Sequence, residues 1–167
     1  YTLGEYSKVI SKKEEVKRME EVKRKVKTSQ KKLKNWRFRA YIKLISLFSQ
    51  IKLIGISGSA AMANTKPEDD IDLFIIASSN RLWTARLLCV VIALLMGVKR
   101  SRYKTDSSKK VCLNLFFDET EMNIPKFKKN YYIAHEIMQM KPIFDRESTY
   151  TRFLNANTWV FRIFPNV

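Results

Sequence analysis

The sequence predicts an α/β (α+β) fold: a small mixed sheet with helices packed around it, preceded by a long basic helix. Three observations carry this expectation. Short runs rich in β-branched and aromatic residues recur through the middle of the chain: "IKLIGIS" (51–57), "DIDLFIIA" (70–77) and "KVCLNLFF" (110–117). An apolar segment of helical length, residues 82–98, lies between the second and third runs, where a crossover helix belongs. The first fifty residues contain no proline and only one glycine, Gly4.

The 167 residues are enough for one domain with a real core, and 46% hydrophobic content argues against global disorder. The net charge of +16 favours phosphate-bearing partners such as nucleic acid, nucleotides or anionic lipid, with simple solubility as the alternative. Residues 1–50 form a basic helical arm, with fifteen Lys and Arg against five Glu, packing on or extending from a domain at 51–167. "SKKE" (11–14) has the form of a helix-start capping box. From there Met19, Val22, Val26, Ser29, Leu33, Trp36 and Ala40 repeat at spacings of three and four, the mark of a narrow helical seam. Such a helix lies on its own domain, or offers its surface to a partner protein or to RNA.

The strand at 51–57 is followed by a brief helical turn, "SAAMAN", which Pro67 closes off. The strand at 70–77 comes next. The segment at 82–98 is short for a bilayer span and is interrupted by Arg86, so it reads as a buried crossover helix, with a peripheral membrane contact less favoured. After the third strand come helices at about 130–140 and 149–164, with "KPIFD" as a short edge strand between them. Cys89 and Cys112 sit among apolar neighbours and read as small buried hydrophobes in a reducing, cytoplasmic setting, one disulfide being the alternative. The chain begins with Tyr1 rather than Met, which fits a segment of a longer protein.

The chemistry concentrates in "GISGSAAMANTKPEDDIDLFII" (55–76). Residues two apart on a strand share a face, so Asp70 and Asp72 point the same way while Ile71 and Leu73 point into the core. Two carboxylates on one face suit a hard divalent cation such as Mg²⁺. Gly58 would let a phosphate approach the backbone, and the helix-start N–H groups with the Ser59 hydroxyl would bind its oxygens. Lys66, nearby in the loop, is a further candidate for neutralising phosphate.

A hydrophobic strand, Gly-Ser, ten residues and Asp-x-Asp on a second strand resembles the signature of the nucleotidyltransferase superfamily typified by DNA polymerase beta. The likeness is nearest to its small stand-alone prokaryotic members and runs over about residues 33–117. It implies a nucleoside triphosphate substrate, Mg²⁺ (or Mn²⁺) held by Asp70 and Asp72, and Ser59 on the terminal phosphates. It also implies attack by an acceptor hydroxyl on the α-phosphorus with release of pyrophosphate. The family supplies a third acid from a later strand. The only polar residue within "VCLNLFF" is Asn114, an amide that brings no charge and is a poor base. A catalytically weak module that binds nucleotide, RNA or a partner protein is therefore the alternative.

Asp69 matches no catalytic position and reads as a solvated strand-entry residue. Asp118 and Glu119 read as loop acids beyond the third strand, the alternative being that the chain bends back and one of them substitutes for the third acid. His135, the sole histidine, reads as structural. Arg100, Arg102 and Lys104, in a basic loop, are candidates for phosphate or RNA contact, with a solvated loop as the equal alternative. Trp36, Phe38 and Tyr41, interleaved with basic residues, read as core packing in preference to base stacking.

Overall fold

The computed structural model describes residues 3–99 and 110–165, excluding the side chains of residues 3–13 and 114. Helices α1 (Leu3–Leu33) and α2 (Trp36–Ser46) lead into β1 (Ile51–Ser57), the one-turn α3 (Gly58–Ala61), β2 (Ile71–Ala77), α4 (Leu82–Leu95) and β3 (Val111–Asp118). Then come α5 (Tyr131–Gln139), β4 (Lys141–Asp145), α6 (Thr149–Ala156) and α7 (Trp159–Ile163). The strands form one mixed sheet in the order β3-β2-β1-β4. β1 runs antiparallel to β2 and β4, while β2 and β3 are parallel and α4 is their crossover. The α/β expectation holds.

The two central strands are covered on both faces, which is why β1 and β2 read as near-continuous apolar runs. On one face Ile54, Ile56, Ile71, Leu73 and Ile75 pack against Phe38, Tyr41 and Ile45 of α2 and Ala85, Cys89 and Ala93 of α4. On the other, Leu53, Phe74 and Ile76 pack against Ala134, Ile137, Phe153 and Val160 of α5, α6 and α7. β4 is the exposed edge strand, where Pro142 is tolerated.

The basic arm differs from its expected form. The helix starts at Leu3, so Ser11 lies inside it and does not cap it. It ends at Leu33, and Asn35 starts a new helix by accepting hydrogen bonds from the N–H groups of Arg37 (3.0 Å) and Phe38 (3.4 Å). Met19 and Val22 are exposed, so the apolar seam does not pack along its length. α2 belongs to the core: Phe38 and Tyr41 are buried, whereas Trp36 turns outward at 70% exposure under the Arg37 guanidinium.

α4 is half-buried, not enclosed. Its small inner residues let it close on the sheet, while Trp83, Leu87, Leu94 and Leu95 face outward. Among the described residues no helix is long and apolar enough to cross a membrane. The expected 149–164 helix is broken at Asn157. This buried amide donates to the carbonyls of Met122 (2.8 Å) and Phe153 (2.9 Å) and accepts from the Ile124 N–H (3.0 Å), fixing the segment before α5.

Burial has a pH consequence on the other face. The Tyr41 hydroxyl donates to the Cys89 carbonyl at 3.0 Å. Burial pushes the Cys89 thiol up to about 12 and the Tyr41 phenol also upward. Both folded-state values exceed the unfolded ones, so this stability is full below about pH 9 and is lost as pH rises toward the folded values. The melting temperature is expected to fall from pH 9 to 11, and less steeply in Cys89→Ala. Equal slopes in the two proteins would contradict the burial argument.

Candidate functional site

Strand register builds the site. Asp72 on β2 pairs with Ser57 on β1 and with Cys112 on β3, so these three side chains form a row across one sheet face. Asp70, two residues earlier and just ahead of β2, projects to the same side. Carboxylate oxygens of Asp70 and Asp72 and the Cys112 Sγ all lie within 4.8 Å of one another, the one such metal-ligand group among the described residues. The two aspartates are half-buried, whereas Cys112 is 7% exposed.

Cys112 is buried, as expected of a small hydrophobe, and its Sγ also belongs to this group. Burial pushes its thiol up to about 12, and the charges of Asp70 and Asp72, with hydrogen bonds to them, push the same way. At neutral pH the Cys112 thiol is therefore protonated. The carboxylate oxygens could hold a metal ion, and a protonated thiol adds little to such a set. Cys89 and Cys112 are both free thiols.

The β2–β3 pairing steps from Asp72/Cys112 to Phe74/Leu115, so Leu113 and Asn114 together oppose Leu73 in a bulge. Cys112, not Asn114, is the in-register neighbour of Asp72. The Asn114 side chain lies outside the described residues.

The Gly-Ser turn is pressed against the aspartates. Gly58 has φ +61°, and a Cβ added there would fall 2.6 Å from Asp72 Oδ2. Glycine is thus required both by backbone conformation and by space. Gly97 supplies a control, since its φ is +64° and a Cβ there would meet nothing within 4 Å. Both Gly58→Ala and Gly97→Ala incur the left-handed penalty of roughly 1–2 kcal/mol. Only Gly58→Ala is expected to displace Asp72 and weaken Mn²⁺ binding, measured by titration. Equal Mn²⁺ affinity in the two variants would contradict the contact.

Asp69 is not an incidental solvated residue. Its Oδ2 accepts from the Ser59 hydroxyl (3.2 Å) and from the Lys66 N–H (2.9 Å), tying the turn to the loop before β2. Lys66 contributes through its backbone: its N–H reaches Asp69, its carbonyl accepts from Lys32 Nζ (2.7 Å), and the residue is otherwise exposed. Lys32, buried near the end of α1, also donates to the Asp69 carbonyl. Burial lowers its pKa, and the nearby carboxylates of Asp69, Asp70 and Glu68 oppose that shift. Ser29, one turn earlier, accepts from the Thr65 N–H (3.1 Å) and lies 2.8 Å from the Thr65 Oγ1. α1 therefore clamps the loop that carries the aspartates.

Asp118 and Glu119 sit at the opposite end of β3 from Cys112. They cap the turn after β2: Asp118 accepts from the Asn80 N–H (2.8 Å), and Glu119 from the N–H (3.2 Å) and hydroxyl (2.9 Å) of Ser79. His135 lies on α5 against the Phe164 ring and the Gln139 amide. Arg100, Arg102 and Lys104 lie outside the described residues. Ser57, Cys112, Lys32 and Ser29 were not singled out for the site by sequence reasoning; the first two are found only through cross-strand register, the others only through helix packing. Comparison with family models, curated proteins and solved structures returns no match.

Proposed function

We propose that the chain is a metal-dependent nucleotidyltransferase, moving a nucleoside monophosphate from a nucleoside triphosphate to an acceptor hydroxyl. The observation that carries this reading is the contact of the Gly58 turn with Asp72, which brings the Gly58–Ser59 turn and the carboxylate pair together. Asp70 and Asp72 would hold Mg²⁺ or Mn²⁺, with Gly58 leaving room for the Asp72 carboxylate against the turn. Ser59, positioned by Asp69, would meet the terminal phosphates, as the superfamily resemblance implies. When bound, the cation would supply charge neutralisation at the phosphate oxygens and make the acceptor hydroxyl more acidic. The acceptor oxygen bonds to the α-phosphorus, the bond to the bridging oxygen breaks, and pyrophosphate leaves. The hydroxyl proton passes to a site carboxylate or to water.

The neutral thiol of Cys112 beside Asp72 supports a second reading, a module of this type with little catalysis that binds nucleotide, RNA or a partner protein. The exposed basic residues Lys17, Arg18, Lys23 and Arg24 of α1 are the surface such a partner would use. The experiment that decides is incubation of the purified chain with each α-labelled triphosphate, Mg²⁺ or Mn²⁺, and pools of RNA, protein and small hydroxyl compounds. Label transfer lost in Asp70→Asn/Asp72→Asn supports the enzyme. Nucleotide binding without transfer supports the module. Neither one would overturn both.

A further inference from the structure

Next to Asp72, on the same sheet face, lies a cavity of about 320 Å³. Ser57, Phe74, Leu115 and Phe117 line it from the sheet, and Ile133 and Ile137 of α5 are part of the opposite wall. Lys128, Tyr132 and Glu136 also border it and are more exposed than Ser57. Ser57 is 1% exposed, and its hydroxyl is the one buried side-chain polar atom among the described residues with no hydrogen-bond partner. A buried hydroxyl left unpaired costs roughly 1–3 kcal/mol, so its retention calls for a partner. A resident water needs two to four polar partners, and the Phe, Leu and Ile side chains that make up most of the lining offer none beside Ser57.

The chemistry of the lining defines what fits: an apolar body carrying one hydrogen-bonding group at the Ser57 end. A nucleobase edge presents several donors and acceptors, and beyond Ser57 it would find side-chain partners only at Lys128, Tyr132 and Glu136, the rest of the lining being apolar. The single polar group would lie beside Asp72, since Ser57 and Asp72 are direct cross-strand neighbours. That is where an acceptor hydroxyl must sit.

We propose that this cavity is the acceptor site and that it takes a small aromatic or alicyclic hydroxyl compound, its hydroxyl held by Ser57 Oγ beside Asp72. The transfer step rests on the nucleotidyl-transfer reading: the compound's oxygen bonds to the α-phosphorus, pyrophosphate departs, and the proton goes to the Asp72 carboxylate. Binding of the compound does not depend on that step.

The test is therefore a binding measurement without metal or nucleotide. The ¹⁵N-labelled full chain is titrated with 2-naphthol, with naphthalene and with adenosine, following backbone resonances. The expected result is that 2-naphthol shifts Ser57, Phe74 and Leu115 and binds about fivefold more tightly than naphthalene, the worth of one hydrogen bond. Ser57→Ala should reduce that ratio to about one while melting no lower than the native chain, because the lost hydroxyl had no partner in the free protein. Ile133→Trp, which fills the cavity, should abolish both interactions; should it fail to fold, the Ser57→Ala comparison still decides. Equal affinity for the two naphthalenes in the native chain overturns the proposal. So does a marked drop in the melting temperature of Ser57→Ala, or tighter binding of adenosine at the same resonances. Native binding with no label transfer would leave the cavity assignment standing and count against the transfer reading alone; the reverse outcome would do the opposite.

Discussion

Replacing Asp70 and Asp72 together by asparagine is expected to abolish Mn²⁺ binding and to reduce nucleotidyl transfer by about 10³-fold or more, the scale set by losing charge stabilisation at a reacting centre. Asparagine keeps the shape of aspartate, so the fold should persist. An oxygen of each carboxylate lies within 4.8 Å of the other, so replacing both removes a like-charge contact. In metal-free buffer the variant should therefore melt no lower than the native chain. Added Mn²⁺ should raise the melting temperature of the native chain only, because a ligand that binds the folded state alone stabilises it by mass action. A variant that melts far lower without metal would mean the aspartates hold the fold instead of a cation.

The second large effect is a gain. Cys112 is the in-register neighbour of Asp72 on β3, whereas Asn114, the expected third position, is not, and the Cys112 thiol is protonated at neutral pH. Cys112→Asp should place a third carboxylate in the group and raise transfer by about 10²-fold if a base is what the native site lacks. The change also puts a charge at a 7% exposed position near two others, so metal-free stability should fall and Mn²⁺ should restore it. Cys112→Ser, neutral and similar in size, should show neither effect. Asn114→Asp, at the bulge and out of register with Asp72, should leave the rate unchanged. A gain from Asn114→Asp with none from Cys112→Asp would contradict the strand register as the determinant of the third position.

These contrasts show which parts of the molecule were legible in the sequence. Strands β1 and β2 were legible because β-branched runs between a turn signal and an acidic pair have few other solutions, and β1 matches its expected bounds, Ile51–Ser57. The shared face of Asp70 and Asp72 follows from the period of a strand. Cys112 was not legible as a site residue, because local pattern says nothing about which residue of β3 stands beside Asp72. That depends on tertiary pairing, and a bulge at Leu113–Asn114 shifts it by one. Lys32 and Ser29 were hidden for another reason: in an arm dense with Lys, Ser and Arg, nothing local distinguishes the residues that reach the Asp69 loop. The helix break at Asn35 is a propensity that was present but overlooked within a long seam, where an N-cap asparagine precedes Trp36.

Whether the Gly58–Ser59 turn and the Asp70/Asp72 pair form one cation and triphosphate site, as proposed, is tested most directly by an anomalous difference map from crystals soaked with Mn²⁺ and a nucleoside triphosphate that cannot be cleaved at the α-phosphorus. A manganese peak is expected within bonding distance of both Asp70 and Asp72, with the triphosphate lying against Gly58 and Ser59. Manganese held elsewhere, or a triphosphate bound away from that turn, would contradict it.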